Sequence, residues 1–137
     1  MDPQPYLYHP IFVHFPIALF TLYAVAELVR FKKVLELPYW FYVKAVLIII
    51  GSLSSLVTFQ TGEMLKETFF KEGEVPRLVS THALWAEISI GVFGVLAISY
   101  LVAWLERAGI GQRIAERAEW LKTIWSFLVH IQNMVLR

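Results

Sequence analysis

Three long apolar runs decide what this chain can become. Crossing roughly 30 Å of hydrocarbon takes about 20 mostly apolar residues at about 1.5 Å of rise each. Residues 10–31 form the first run, with Glu27 as the only acidic member. Residues 39–60 form the second, with one charge at Lys44, and residues 78–105 the third, with one acidic residue at Glu87. Inside a bilayer every backbone amide must find its partner within the protein, so runs of this length read as transmembrane helices.

A fourth segment, 116–136, is more polar. Glu119, Lys122, Ser126, His130 and Asn133 recur at steps of three or four, opposite Leu121, Ile124, Trp125, Leu128, Ile131 and Val135. Such a helix either spans with its polar stripe turned into the bundle or lies in the membrane interface. Its length and mild polar groups favour spanning. The expected fold is all-α: an integral membrane helical bundle of three or four transmembrane helices, up-down-up-down, in a single domain over 1–137.

The connections fit. Arg30, Lys32, Lys33, Glu36 and Pro38 make a short charged turn, and residues 63–77 a charged loop containing Gly73 and Pro76. Ser80 or Thr81 is the expected cap of the third helix, and Gly109 and Gly111 break the chain after it. The opening Met-Asp-Pro-Gln-Pro lacks a basic n-region, so the first run reads as a retained helix rather than a cleaved signal.

Composition narrows function. Apolar residues make up 58% and charged residues 17%, against roughly 45–50% and about 25% in soluble domains. The net charge of +1 and the lack of a basic cluster argue against a nucleic-acid partner. With no cysteine, disulfides, iron–sulfur clusters, thiolate metal sites and covalent c-type haem attachment are excluded.

Lysine and arginine bias gives orientation. If the fourth helix spans, one side carries Arg30, Lys32, Lys33, Arg107, Arg113 and Arg117. The other carries Lys66, Lys71 and Arg77 diluted by Glu63, Glu67, Glu72 and Glu74, plus Arg137. The first side is expected in the cytoplasm, with both termini outside.

Threaded this way, all four histidines gather near the non-cytoplasmic face. His9 and His14 open the first helix, His82 lies in the first turns of the third, and His130 falls toward the end of a spanning fourth. His9 and His14 are five residues apart, about 140° around a helix, so both cannot face one centre. With Pro10 at the first helical position, His9 becomes the cap and His14 the helix-borne residue. The sharpest pairing is therefore His14 with His82, on parallel helices at similar depth. Two such imidazoles can ligate haem iron from opposite sides. Gly51, Ser55, Thr58 and Gly62 on the second helix, and Ala86, Ser89, Gly91 and Gly94 on the third, leave room for a flat macrocycle, although small residues also serve ordinary helix packing. His9 and His130 are secondary candidates, and Gln60, Thr61 and Glu63 lie where outer hydrogen bonds to a ligand would come from.

The other intramembrane charges read differently. Glu27 and Lys44 lie at similar depth on sequential antiparallel helices, as a structural ion pair would. Glu87 has no evident partner, and is either a protonated structural group or part of a proton relay. Tyr39, Trp40, Tyr42, Trp104 and Trp120 belong to an aromatic belt at the cytoplasmic headgroups.

The opening His9-Pro10-Ile11-Phe12-Val13-His14-Phe15-Pro16 resembles that of an uncharacterised family of small bacterial four-helix membrane proteins with a His-Pro-x-x-Val-His-Phe-Pro signature. Thr61-Gly62 and His82-Ala83-Leu84 match two further motifs of that family, and the resemblance covers residues 8–105. The family is itself similar to b-type membrane cytochromes. The resemblance implies a multi-pass protein of the bacterial inner membrane and points to His9, His14 and His82; the more polar fourth segment leaves His130 outside it.

Three functions compete. The first is an electron-transfer subunit holding haem b between helices one and three, linking an outer-face redox partner to the quinone pool within a larger oxidoreductase complex. The second is a copper, zinc or iron site built from the histidines. The third is a membrane anchor or accessory subunit with no cofactor. No catalytic residue is expected in the chain itself.

Overall fold

The computed structural model describes residues 8–29, 31–71, 74–115 and 119–136, and every regular element among them is helical. In chain order these are α1 (His9–Leu28), α2 (Lys32–Leu35), α3 (Trp40–Phe69), α4 (Arg77–Arg107), α5 (Ile110–Ala115) and α6 (Glu119–Leu136). Of the features expected from sequence, Arg30, Glu72, Gly73, Arg117 and Arg137 lie outside the described residues.

α1, α3 and α4 are long and apolar enough to cross a membrane. Their large side chains point outward: Ile17, Leu53 and Val92 are each more than half exposed. Exposure on that scale fits a chain whose solvent is lipid, where Leu and Ile lose nothing by facing out.

The helices pack in the order α1, α3, α4, with α3 between the other two. Tyr23, Ala45, Ile48, Ala97 and Tyr100 make the buried core. Close approach of α1 to α3 depends on Gly51, because a Cβ there would lie 2.7 Å from the Phe20 ring.

α1 and α4 run the same way, and two contacts fix their register. Phe20 and Phe93 stack with ring centroids 3.8 Å apart and planes 10° from parallel. Tyr100 donates a hydrogen bond to Glu27, a partner 73 residues away. The same offset separates Phe20 from Phe93, so any α1 residue stands level with the α4 residue 73 positions on.

Two boundaries differ from expectation. Glu63 to Phe69, expected as loop, are the last two turns of α3. No breaker stands between Gly62 and Phe70, and a Glu63–Lys66 ion pair one turn apart supports the extension. Neither Ser80 nor Thr81 caps α4, which begins at Arg77 after Pro76. Proline fixes the entry there, and the Ser80 hydroxyl instead donates back to the Arg77 carbonyl.

The fourth helix departs most. α6 is not among the helices fit to span, and it does not run the length of the bundle. Gly109, with φ of 66°, turns the chain after α4, and the Trp125 indole N–H bonds the Glu106 carboxylate. Val129, Gln132, Asn133 and Leu136 line one cavity together with Glu36, Trp40 and Arg107. All of these partners belong to the end of the bundle that holds α2, so α6 packs at that end. His130 is consequently at the opposite end from the other three histidines, correcting the expectation that all four converge.

Candidate functional site

At the end away from α2, α1 and α4 frame a cavity of about 790 Å³ against α3. Its walls are largely apolar, contributed by Val13, Ile17, Leu65, Val79 and Ile90, with the Phe20 and Phe93 rings also lining it. Two imidazoles line it, His9 and His82. They stand 73 residues apart and so continue the register set by Phe20–Phe93 and Glu27–Tyr100.

His9 is held in a defined orientation. It is the first residue of α1, after Tyr8 at the cap position and before Pro10, rather than the cap itself. Its Nδ1–H donates to the Thr58 carbonyl at 3.1 Å and lies 3.0 Å from the Thr61 hydroxyl oxygen. The ring rests on Gly62, where a Cβ would come within 2.9 Å of its Cε1. Donation from Nδ1 to a carbonyl leaves Nε2 with its lone pair, the arrangement by which proteins orient metal-binding histidines.

His14 is placed elsewhere. Its Nδ1 donates to the Pro10 carbonyl at 2.6 Å, and it borders a groove with Ile11, Phe15 and Ser54, outside the cavity that holds His82. The pairing read from sequence, His14 with His82, is therefore not the one the cavity brings together. By register His14 is level with Glu87, which is exposed on α4. Each is five residues beyond its cavity histidine, about 140° further round, so the two turn away on opposite sides. Gly91 and Gly94 also leave the cavity, with open space where a Cβ would stand. Of the small residues singled out, Ser55, Thr58, Gly62, Ala86 and Ser89 do line it. Gln60 is exposed, and Glu63 and Lys66 line the cavity as an ion pair.

At the α2 end the same helices hold a second polar cluster. Lys44 Nζ donates to Glu27 Oε2 at 3.1 Å, and Tyr100 OH donates to Glu27 Oε1 at 2.6 Å. The lysine also stands 5.8 Å from the Tyr100 ring centre. The ion pair expected from sequence is present; the tyrosine that completes it was not foreseen, because a tyrosine inside an apolar run carries no mark of its partner.

Among the described residues no three His, Cys, Asp or Glu side chains come together as a metal-ligand group. Zinc or copper sites of three or four protein ligands find no such set here, whereas haem asks for two histidines or one. Searches against family models, curated proteins and solved structures found no match.

Proposed function

We propose that the protein is a membrane-embedded electron-transfer subunit that holds b-type haem in the cavity between α1, α3 and α4. The observation that carries this reading is the cavity itself: a large, mostly apolar space lined by His9 and His82 on parallel, register-matched helices. Its volume lies within the range of pockets that take sizeable organic ligands. The donor set fits haem better than a bare metal ion, because two imidazoles suffice for one and not for the other.

His9 and His82 are the residues that would hold the iron, and Thr58 with Gly62 would fix the His9 ring. Bound haem supplies one-electron chemistry, and the chain supplies binding, orientation and exclusion of water. The cavity end is the non-cytoplasmic one by charge: Lys32, Lys33, Arg107 and Arg113 mark the α2 end, and basic residues favour the cytoplasm. The N-terminus then lies outside, in the inner membrane of a bacterium. Electrons would pass between a periplasmic redox partner or partner subunit at the cavity and the quinone pool.

The test is the visible spectrum of detergent-purified, dithionite-reduced protein made with ample haem supply. Reduced b-type bands are expected in the wild type, lost in both His9→Ala and His82→Ala and kept in His14→Ala. Loss in His14→Ala with retention in His9→Ala would restore the pairing read from sequence. Absence of bands in the wild type would leave the anchor reading, or bare-metal binding if metal analysis finds an ion.

A further inference from the structure

We propose that α6 is an interfacial helix, lying along the membrane surface at the α2 end with one stripe of side chains sunk between lipid headgroups and acyl chains. The chain then crosses the bilayer three times, and its termini fall on opposite sides. This inference does not rest on the haem reading.

α6 has three faces. At about 100° per residue, Leu121, Trp125, Leu128 and Gln132 share one arc and are all partly buried, and from this side Trp125 and Gln132 reach the bundle. Trp120, Ile124, Phe127 and Met134 share a second, about a third of a turn away, and are 65%, 48%, 62% and 70% exposed. Lys122, Ser126 and His130 share a third, also exposed. A helix spanning beside the bundle would turn that polar stripe inward, away from lipid. Here it faces out, while a second exposed stripe is wholly apolar. Only a boundary between oil and water satisfies both exposed faces at once.

Position agrees. Trp125 touches Gly111 and Glu106, and Leu136 packs on the core that contains Tyr100. Between Trp125 and Leu136 the helix advances about 16 Å. Over that length it stays beside the α2 end of the bundle, where Val129, Gln132, Asn133 and Leu136 line one cavity with Glu36, Trp40, Ala103 and Arg107. Lys32, Lys33, Arg107 and Arg113, all exposed at this end, suit the headgroup layer. These features commit the stripe to lipid rather than to a soluble protein.

The chain has no native cysteine, so nitroxide labels at single introduced cysteines report on it directly. In lipid vesicles, labels at Trp120, Ile124, Phe127 and Met134 should collide more with oxygen than with a water-soluble nickel chelate. All four should sit at one shallow depth, well short of a reference label at Val92. Labels at Ser126 and His130 should show the reverse preference. A depth that increases steadily from Trp120 to Met134 would mean a fourth crossing and overturn the proposal. Free access of the nickel chelate to all six would overturn it too, leaving the stripe to an aqueous partner. Independently, cysteines at Gln4 and Arg137 should react with an impermeant thiol reagent from opposite sides; labelling from one side would return four crossings.

Discussion

The two ends of the α1–α3–α4 unit use the same helix faces to different effect. His9 and Glu27 are eighteen residues apart on α1, Gly62 and Lys44 on α3, and His82 and Tyr100 on α4. Eighteen residues make about five turns, so each pair shares a face. At the α2 end these faces meet: the Glu27 carboxylate takes one donor on each oxygen, from Lys44 and Tyr100. At the other end His9 still rests on Gly62, but His9 and His82 border open volume instead of meeting one another. Polar groups that satisfy one another hold helices together, whereas polar groups facing a cavity keep bonding capacity for something that enters. The α2 end should therefore govern stability and the cavity end ligand binding.

The largest expected effect tests the first half of that division. Glu27→Gln or Lys44→Met alone leaves one charge without its partner. Each should cost about 3 kcal/mol, the lower end for a broken buried pair, because the Glu27 side chain is 40% exposed. The double substitution should cost less than the sum of the two. Thermal or denaturant unfolding in detergent gives the cycle, and additive losses would show that the groups do not interact.

Next in size is Gly51→Ala. A Cβ there would crowd Phe20, and overpacking of this kind costs about 1–3 kcal/mol. Unfolding measured beside wild type checks it, and a neutral result would show that α1 and α3 are less tightly opposed than the structure has them.

The smallest changes in stability belong to the cavity end. Gly62→Ala must push the His9 ring, the movable tip of a side chain, so unfolding should shift by less than about 1 kcal/mol. Haem affinity, measured by titration of the apoprotein, should nevertheless fall about tenfold or more, as when a metal ligand loses its orienting contacts. Gly91→Ala, on an open face of α4, should change neither quantity, with stability within about 0.5 kcal/mol. A large loss of stability in Gly62→Ala would erase the contrast between the ends.

Much of the architecture was legible because lipid leaves few solutions. A long apolar run must be a helix, and Glu27 and Lys44 could be matched by counting depth alone. The choice between His9 and His14 depended on how α1 is rotated, and the rule about Pro10 misjudged where it starts. The decisive signal was nevertheless present. Once Glu27 faces Lys44, His9, eighteen residues earlier, must face α3 as well, while His14 is turned about 140° away. α6 is a different case. Its amphipathic pattern fits spanning and interfacial helices alike, and what the structure adds is where it packs, through Trp125 and Leu136. The role of Tyr100 could not be read at all, since its partner lies 73 residues away and nothing local points to it.

The stacked Phe20 and Phe93 rings lie between the two polar clusters, with the buried Gly51 close behind. A proton crosses a membrane along water or along hydrogen-bonding side chains, and a pair of hydrocarbon rings in contact offers neither. The aromatic pair is thus a stopper in the middle of the three helices. The cavity end and the Glu27 cluster are thereby separated by a layer of hydrocarbon.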